Sequence, residues 1–268
     1  MKQKRHILAT ALLMTLTSCE KFDVHPYALD IKGERDINKH MIERIEHETA
    51  GKDTLRVAVI SDSHEWYNHL GDAVEALNGN DAIDFLLHCG DITDVGSRRE
   101  MEWTRDILSS LRHPYVVLIG NHDFLGTGRQ CYEAIFGDLD FSFIAGGVKF
   151  VCLNTNAGEY NYLAAVPDLA FMEREALKDT DHYDRTVVAM HVPPFDSQFN
   201  CNVNQPFRDR IAAFRGPLFA VFGHRHNFSE LNPYDDSLAF YGVCSIEKRA
   251  YRLFTITPSG YEEEIVEF

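Results

Sequence analysis

From Leu55 onward, short and almost continuous apolar runs alternate with segments in which apolar residues return every three or four positions. The runs cover residues 55–61, 83–89, 114–120, 149–154, 186–191 and 218–223. Unbroken runs of this length predict strands buried on both faces, and such strands need helices to cover them. The periodic segments between them predict those helices at 68–77, 97–111, 128–136, 168–177 and 206–214. Upstream, Ile37, Met41, Ile42 and Ile45 keep helical spacing within 36–49 and stop at Gly51, which predicts a further helix at the edge of the domain. The last quarter differs. Residues 238–244, 251–258 and 260–268 read as sequential strands in a meander, the last two joined through Pro258-Ser259-Gly260. Six buried strands and a meander exceed one simply wound sheet. The expected fold is therefore α/β, a four-layer αββα sandwich of two mixed sheets with helices outside, over residues 54–268.

A chain of 268 residues buries a sizeable core without a metal or a disulfide, so a metal indicated by its side chains serves chemistry rather than folding. The balance of 26 basic against 41 acidic residues, a net charge of −15, disfavours binding to a polyanion, and no nucleic-acid partner is expected. There is no 18-residue apolar run of the kind that spans a bilayer. The start nevertheless has the layout of an export signal: Lys2, Lys4 and Arg5, an apolar stretch over 7–16, then Leu16-Thr17-Ser18-Cys19. That tetrapeptide resembles the lipobox of bacterial lipoproteins, which implies that residues 1–18 are cleaved as a signal peptide. It also implies that Cys19 carries a lipid anchoring the chain to a membrane, facing the periplasm or the cell surface. A plain secretory peptide cut nearby is the alternative. Residues 19–53 then form a tether and the N-terminal helix, and loss of the leader takes the net charge to −18. The remaining cysteines, Cys89, Cys131, Cys152, Cys201 and Cys244, are odd in number and follow no framework spacing, so buried free thiols are expected.

Several apolar runs end in residues that bind metals. Residues 55–61 lead into Asp62-Ser63-His64, 83–89 into Gly90-Asp91-Ile92-Thr93-Asp94, 114–120 into Asn121-His122-Asp123, 186–190 into His191, and 218–223 into His224-Arg225-His226. The carboxyl ends of strands in an open α/β sheet are where ligand crevices form, so these tips can meet. Alone, each is weak. Asp-Ser-His is a common turn, Asp94 can cap the next helix, and His191 can be a core histidine. His224-x-His226 is stronger, because extended residues two apart share a face.

Taken in order, the blocks Asp62-x-His64, Gly90-Asp91-x-x-Asp94, Gly120-Asn121-His122-Asp123, His191 and Gly223-His224-x-His226 resemble those of the calcineurin-like metallophosphoesterase family. The resemblance covers about residues 55–230. It implies two divalent metal ions (Mn, Fe, Zn, Ni or Co) as cofactors. Asp62, His64, Asp91 and His226 would hold one, and Asp91, Asn121, His191 and His224 the other, with Asp91 bridging. It implies hydrolysis of a phosphodiester or small phosphomonoester by a hydroxide that bridges the ions. His122 would stabilise the transition state and protonate the leaving oxygen, with Asp94 set against it. Two divalent ions outweigh the two ligand carboxylates, which leaves a positive cup for a small phosphate-ester substrate within an acidic protein.

The block at 90–96 lacks the Arg-Gly found in protein serine/threonine phosphatases, and Asp123 stands where those enzymes have Glu, which puts that substrate class in doubt. Asp123, Arg98, Arg99, Arg129 and Arg225 lie near these blocks in sequence and are candidates to touch substrate, although solvated surface is the better explanation of any one of them. Glu159-Tyr160-Asn161-Tyr162 and Pro193-Pro194-Phe195 are candidate walls. The alternative function is a non-catalytic scaffold or binding protein that retains the fold. Nothing in the pattern speaks to oligomeric state.

Overall fold

The computed structural model describes residues 29–268; the leader and Cys19 lie outside the described residues. Eleven strands form two sheets. The first takes β1 (Leu55–Ile60), β2 (Phe85–His88), β3 (Tyr115–Val117), β10 (Ala250–Thr257) and β11 (Gly260–Glu267) in the order β11-β10-β1-β2-β3. The second takes β4 (Phe141–Ala145), β5 (Val148–Leu153), β6 (Arg185–Met190), β7 (Pro217–Phe222), β8 (Ser229–Leu231) and β9 (Ala239–Gly242) in the order β4-β5-β6-β7-β9-β8. β1, β2 and β3 run parallel, as do β5, β6, β7 and β9, while β4, β8, β10 and β11 pair antiparallel.

The near-continuous apolar runs are strands with apolar side chains on both faces, and each face has its own core. Val57, Val59, Phe85 and Leu87 of the first sheet meet Phe150, Phe219 and Val221 of the second between the sheets. Phe219 stacks on Phe254 with ring centroids 4.3 Å apart, tying the two sheets together. Outside the first sheet, α2 (Tyr67–Asn78), α3 (Arg98–Leu108) and α4 (Gly128–Ile135) bury Leu70, Val74, Met101, Leu108 and Ile135. Outside the second, α5 (Leu169–Leu177) and α6 (Asn204–Ala212) bury Met172, Phe207 and Ile211. The αββα sandwich is thus the observed architecture.

α1 (Ile37–Glu48) covers the free edge of β3. The Asn38 amide donates to the Val117 carbonyl at 2.8 Å and accepts from the Val117 N–H at 2.9 Å, so one side chain completes the backbone pairing that an edge strand lacks. The segment before it is docked rather than a free tether over its last residues: Ile31 is buried, and the Lys32 N–H donates to Glu102 on α3.

Two features depart from the sequence expectation. β4 and β8 are additional strands. The last three predicted strands do not form a meander, because β9 lies beside β7 in the second sheet and the chain then crosses to the first sheet for β10 and β11.

α3 begins with a capping box in which Ser97 accepts from the Glu100 N–H and the Glu100 side chain accepts from the Ser97 N–H. Ser97→Ala is expected to cost about 1 kcal/mol. A urea midpoint lowered at unchanged m would show it, and an unmoved midpoint would refute it.

Candidate metal centre

Every predicted tip lies where a strand stops, and the two sheets point those tips at one another. Asp62, His64, Asp91, His224 and His226 all have φ between 39° and 68°, a left-handed backbone that non-glycine residues adopt at a cost. Five strained residues in one cluster are held there by surrounding contacts. The Asp62 N–H donates to the Gly90 carbonyl and the His64 N–H to the Asp91 carbonyl, which laces the loop after β1 to the loop after β2. Close approach does the rest. A side chain on Gly120 would stand 2.2 Å from the Asp91 nitrogen, so only glycine lets the loops after β2 and β3 touch.

The structure brings all seven predicted metal ligands together. Asp91 is central and 1% exposed: its Oδ2 lies 3.2 Å from His191 Nε2 and 3.6 Å from His64 Nε2, and its Oδ1 accepts from the His122 N–H at 2.8 Å. On one side, Asp62 Oδ1 is 3.3 Å from His226 Nε2. On the other, the Asn121 amide oxygen is 3.0 Å from His191 Nε2 and 2.9 Å from His224 Nδ1. Donor atoms of Asp62, His64, Asp91 and His226 lie within 4.8 Å of one another, and so do those of Asp91, His191 and His224.

The electrostatics of this cluster call for positive charge. Burial works against a proton on His191, yet the Asp91 carboxylate beside it prevails and raises the imidazole to about 9. His191 Nδ1 donates to the Cys89 carbonyl at 2.8 Å, which aims Nε2 inward. His64 is buried with neither ring nitrogen hydrogen-bonded. An imidazole without partners, aimed at a buried carboxylate, fits a cation that it would ligate. The mixed imidazole, carboxylate and amide donor set suits first-row transition ions.

His122 stands at the mouth in a 3-10 turn, His122–Phe124, with its ring edge-on to His64 at 4.7 Å. Its Nδ1 donates to the backbone carbonyl of Asp94 at 2.8 Å, leaving Nε2 free, while the Asp94 carboxylate is 4.0 Å from that Nδ1 and 3.9 Å from His64 Nδ1. Asp94 therefore sets the His122 ring through its main chain, with its carboxylate near both imidazoles. The cap of α3 is Ser97, not Asp94.

Three groups carry more than their sequence signal suggested. Asp123 is fully buried, and its carboxylate accepts from the N–H groups of Ile92, Thr93 and Gly120 and from the Thr93 hydroxyl, at 2.8–3.2 Å. It ties the loop after β2 to the loop after β3. His88 is held neutral by burial, well below the usual imidazole range at about 3; it accepts from the Gly90 N–H and faces the Ser63 hydroxyl. Asp196 lies against His224 and Arg225. Of the predicted walls, Tyr160 packs on Phe124 and under Arg129, and the Tyr162 hydroxyl donates to the Ser197 carbonyl, which ties the two wall loops together. Arg98 hydrogen-bonds the Asp30 carbonyl and lies 3.6 Å from Glu102, and Arg99 lies over Trp103. The cysteines of the described residues are all free, and only Cys201 is exposed.

A family model described as calcineurin-like phosphoesterase matches residues 55–228, more than half of the chain and the whole stretch that carries the seven donors. The human serine/threonine-protein phosphatase CPPED1 is 28% identical over 179 residues, 58% of this chain and 57% of that protein. A 3',5'-cyclic-nucleotide phosphodiesterase from Nostoc sp. is 30% identical over 158 residues, 54% of this chain and 56% of that protein. The chain thus spans a little over half the length of these curated relatives. A dimetal phosphatase from Danio rerio matches with a TM-score of 0.61 at 12% identity, covering 80% of this chain and 99% of the other. A purple acid phosphatase from yellow lupin matches with a TM-score of 0.57 at 12% identity, covering 81% and 54%. At such identities the structural likeness is one of fold.

Proposed function

This chain belongs to the calcineurin-like phosphoesterase family, and we propose that it hydrolyses phosphate esters with two divalent cations held by the seven donors around Asp91. Asp62, His64, Asp91 and His226 would hold one, and Asp91, Asn121, His191 and His224 the other. The observation that carries the reading is the convergence of these donors, all but His224 and His226 buried, around one carboxylate, with the His64 nitrogens unpartnered. When bound, the cations would supply an activated water and neutralise charge on the phosphoryl oxygens. The chain's own contribution is placement. Asp123 and the strained loops fix the donors, and His122 presents Nε2 at the mouth to a phosphoryl oxygen or a leaving alkoxide.

The substrate we favour is a small phosphodiester. Asp94 is half exposed beside His122, so the mouth carries negative charge of its own. A monoanionic diester meets less repulsion there than a dianionic monoester. The relatives named above act, by name, on cyclic nucleotides and on phosphoproteins, and an assay has to include both. The export reading is part of the same proposal: a lipoprotein anchored through Cys19 and working outside the cytoplasm, supported by the basic start, the apolar stretch over 7–16 and the lipobox-like tetrapeptide. Among the described residues, no helix is long and apolar enough to cross a membrane. Mass spectrometry of the processed N-terminus should find lipid on Cys19, and an unmodified Met1 in the mature protein would refute it.

The activity is tested by stripping the full chain with a chelator and adding back Mn, Fe, Zn, Ni or Co singly. The assay offers a bis-aryl phosphodiester, a cyclic nucleotide, a glycerophosphodiester, an aryl monoester and a phosphopeptide. Turnover is expected to vanish on stripping and to return with at least one metal, with diesters ahead of monoesters. Undiminished turnover in the stripped protein would refute the two-cation reading.

A further inference from the structure

We infer that Asp196 is a positioning residue for His224, fixing which ring nitrogen faces the metal centre, and that Arg225 holds Asp196 in place. This rests on the two-cation reading above. His224 Nδ1 lies 2.9 Å from the Asn121 amide oxygen and so faces the cluster. Its other nitrogen, Nε2, lies 3.4 Å from Asp196 Oδ1 on the opposite edge of the ring. A neutral imidazole carries one N–H. A carboxylate beside Nε2 draws that proton to Nε2 and leaves the Nδ1 lone pair turned toward Asp91 and Asn121, the form that ligates a cation.

The loop after β6 is built to put Asp196 there. Phe195, just before it, has φ of 64° although it is a bulky residue, and its ring packs edge-on against Tyr234 at 5.4 Å. The Phe195 N–H donates to the Asn204 side chain, and Asp196 Oδ1 accepts from the Gln198 N–H at 3.2 Å. The Gly158 N–H donates to the Gln198 carbonyl at 3.1 Å, pinning the loop from the side of the 157–160 turn. On Oδ2, Arg225 supplies its Nη2 at 3.3 Å and its Nε at 3.4 Å. The carboxylate thus spans a ligand and the arginine next to it in sequence, using one oxygen for each.

The experiment compares the full chain with its Asp196→Ala, Asp196→Asn and Arg225→Ala variants by chelator competition, metal content and nitrogen-15 NMR of the His224 ring. Asp196→Ala is expected to weaken one of the two cations by about ten- to a hundredfold while the other holds. Asp196→Asn, which keeps an oxygen beside Nε2 and the acceptor for Gln198, should lose less, and Arg225→Ala should also fall short of the alanine variant. The His224 ring should carry its proton on Nε2 in the wild-type chain and populate both tautomers in Asp196→Ala. Wild-type affinity for both cations in Asp196→Ala, or an unchanged tautomer, would overturn the inference. If the wild-type chain binds no pair of cations, the two-cation reading falls and the inference with it, whereas both cations bound with an unchanged tautomer in Asp196→Ala overturns the inference alone.

Discussion

Asp91→Asn is expected to lower phosphodiester turnover by on the order of a thousandfold and to leave the chain with fewer than two cations, measured by metal analysis and steady-state kinetics on the same preparation. Asp91 is the one side chain that both candidate donor groups share. Its Oδ2 faces His191 and His64, while its Oδ1 has the separate task of accepting from the His122 N–H. Asparagine keeps that acceptor and the side chain's volume, so the loop that carries His122 keeps its anchor, but the charge that offsets two divalent ions is gone. Several kcal/mol of charge stabilisation lost in the transition state correspond to the expected factor. An alanine variant would add the cost of leaving the His122 N–H and a buried imidazole without a partner, so it reports on folding as well as on catalysis. Asp91→Asn retaining both cations and full turnover would remove Asp91 from the centre, and with it the bridging assignment.

That these side chains meet was legible in the sequence because parallel strands place their carboxyl ends along one edge, while the metal roles given to them came from the family resemblance. Once 55–61, 83–89, 114–120, 186–191 and 218–223 are recognised as buried strands, polar residues at their ends must gather, whichever strands are neighbours. Strand pairing was less legible. β9 and β10 are separated by only a few residues, yet they belong to different sheets, and nothing local distinguishes a hairpin from a crossing between layers. β4 did leave a local signal: residues 141–145 alternate between buried and partly exposed positions and turn through Gly146-Gly147 into β5. β8, at three residues, left none.

The supporting polar groups were hidden for a similar reason. Asp123 sits in the sequence like a surface residue beside a ligand loop. It becomes structural only when the backbone at 92–93 folds back over it, and burial together with the nearby Asp91 charge then pushes its carboxyl up to about 7 despite four donors. Asp196 follows Pro193-Pro194-Phe195, which reads as a turn, and its meaning depends on His224, 28 positions later. Strand ends can be read from hydrophobic pattern, whereas the groups that hold the ligands in place depend on loop geometry.

His122→Ala should separate catalysis from metal binding. Both cations should be retained at wild-type affinity, while kcat falls by about 10²- to 10⁴-fold, the range for a positioned acid or base. The reason lies in where the ring sits. His122 stands at the mouth, edge-on to His64, with Nδ1 committed to the Asp94 carbonyl and Nε2 left for the substrate side. It contributes its backbone N–H to Asp91, which alanine preserves, so the donor cluster keeps its shape. A comparison of leaving groups tells which task the imidazole performs. If Nε2 protonates the departing oxygen, the loss should be largest for an alkoxide leaving group and smaller for p-nitrophenolate, which departs without a proton. An equal loss for both would assign His122 to the phosphoryl oxygens instead, and unchanged turnover with both would exclude it from the reaction.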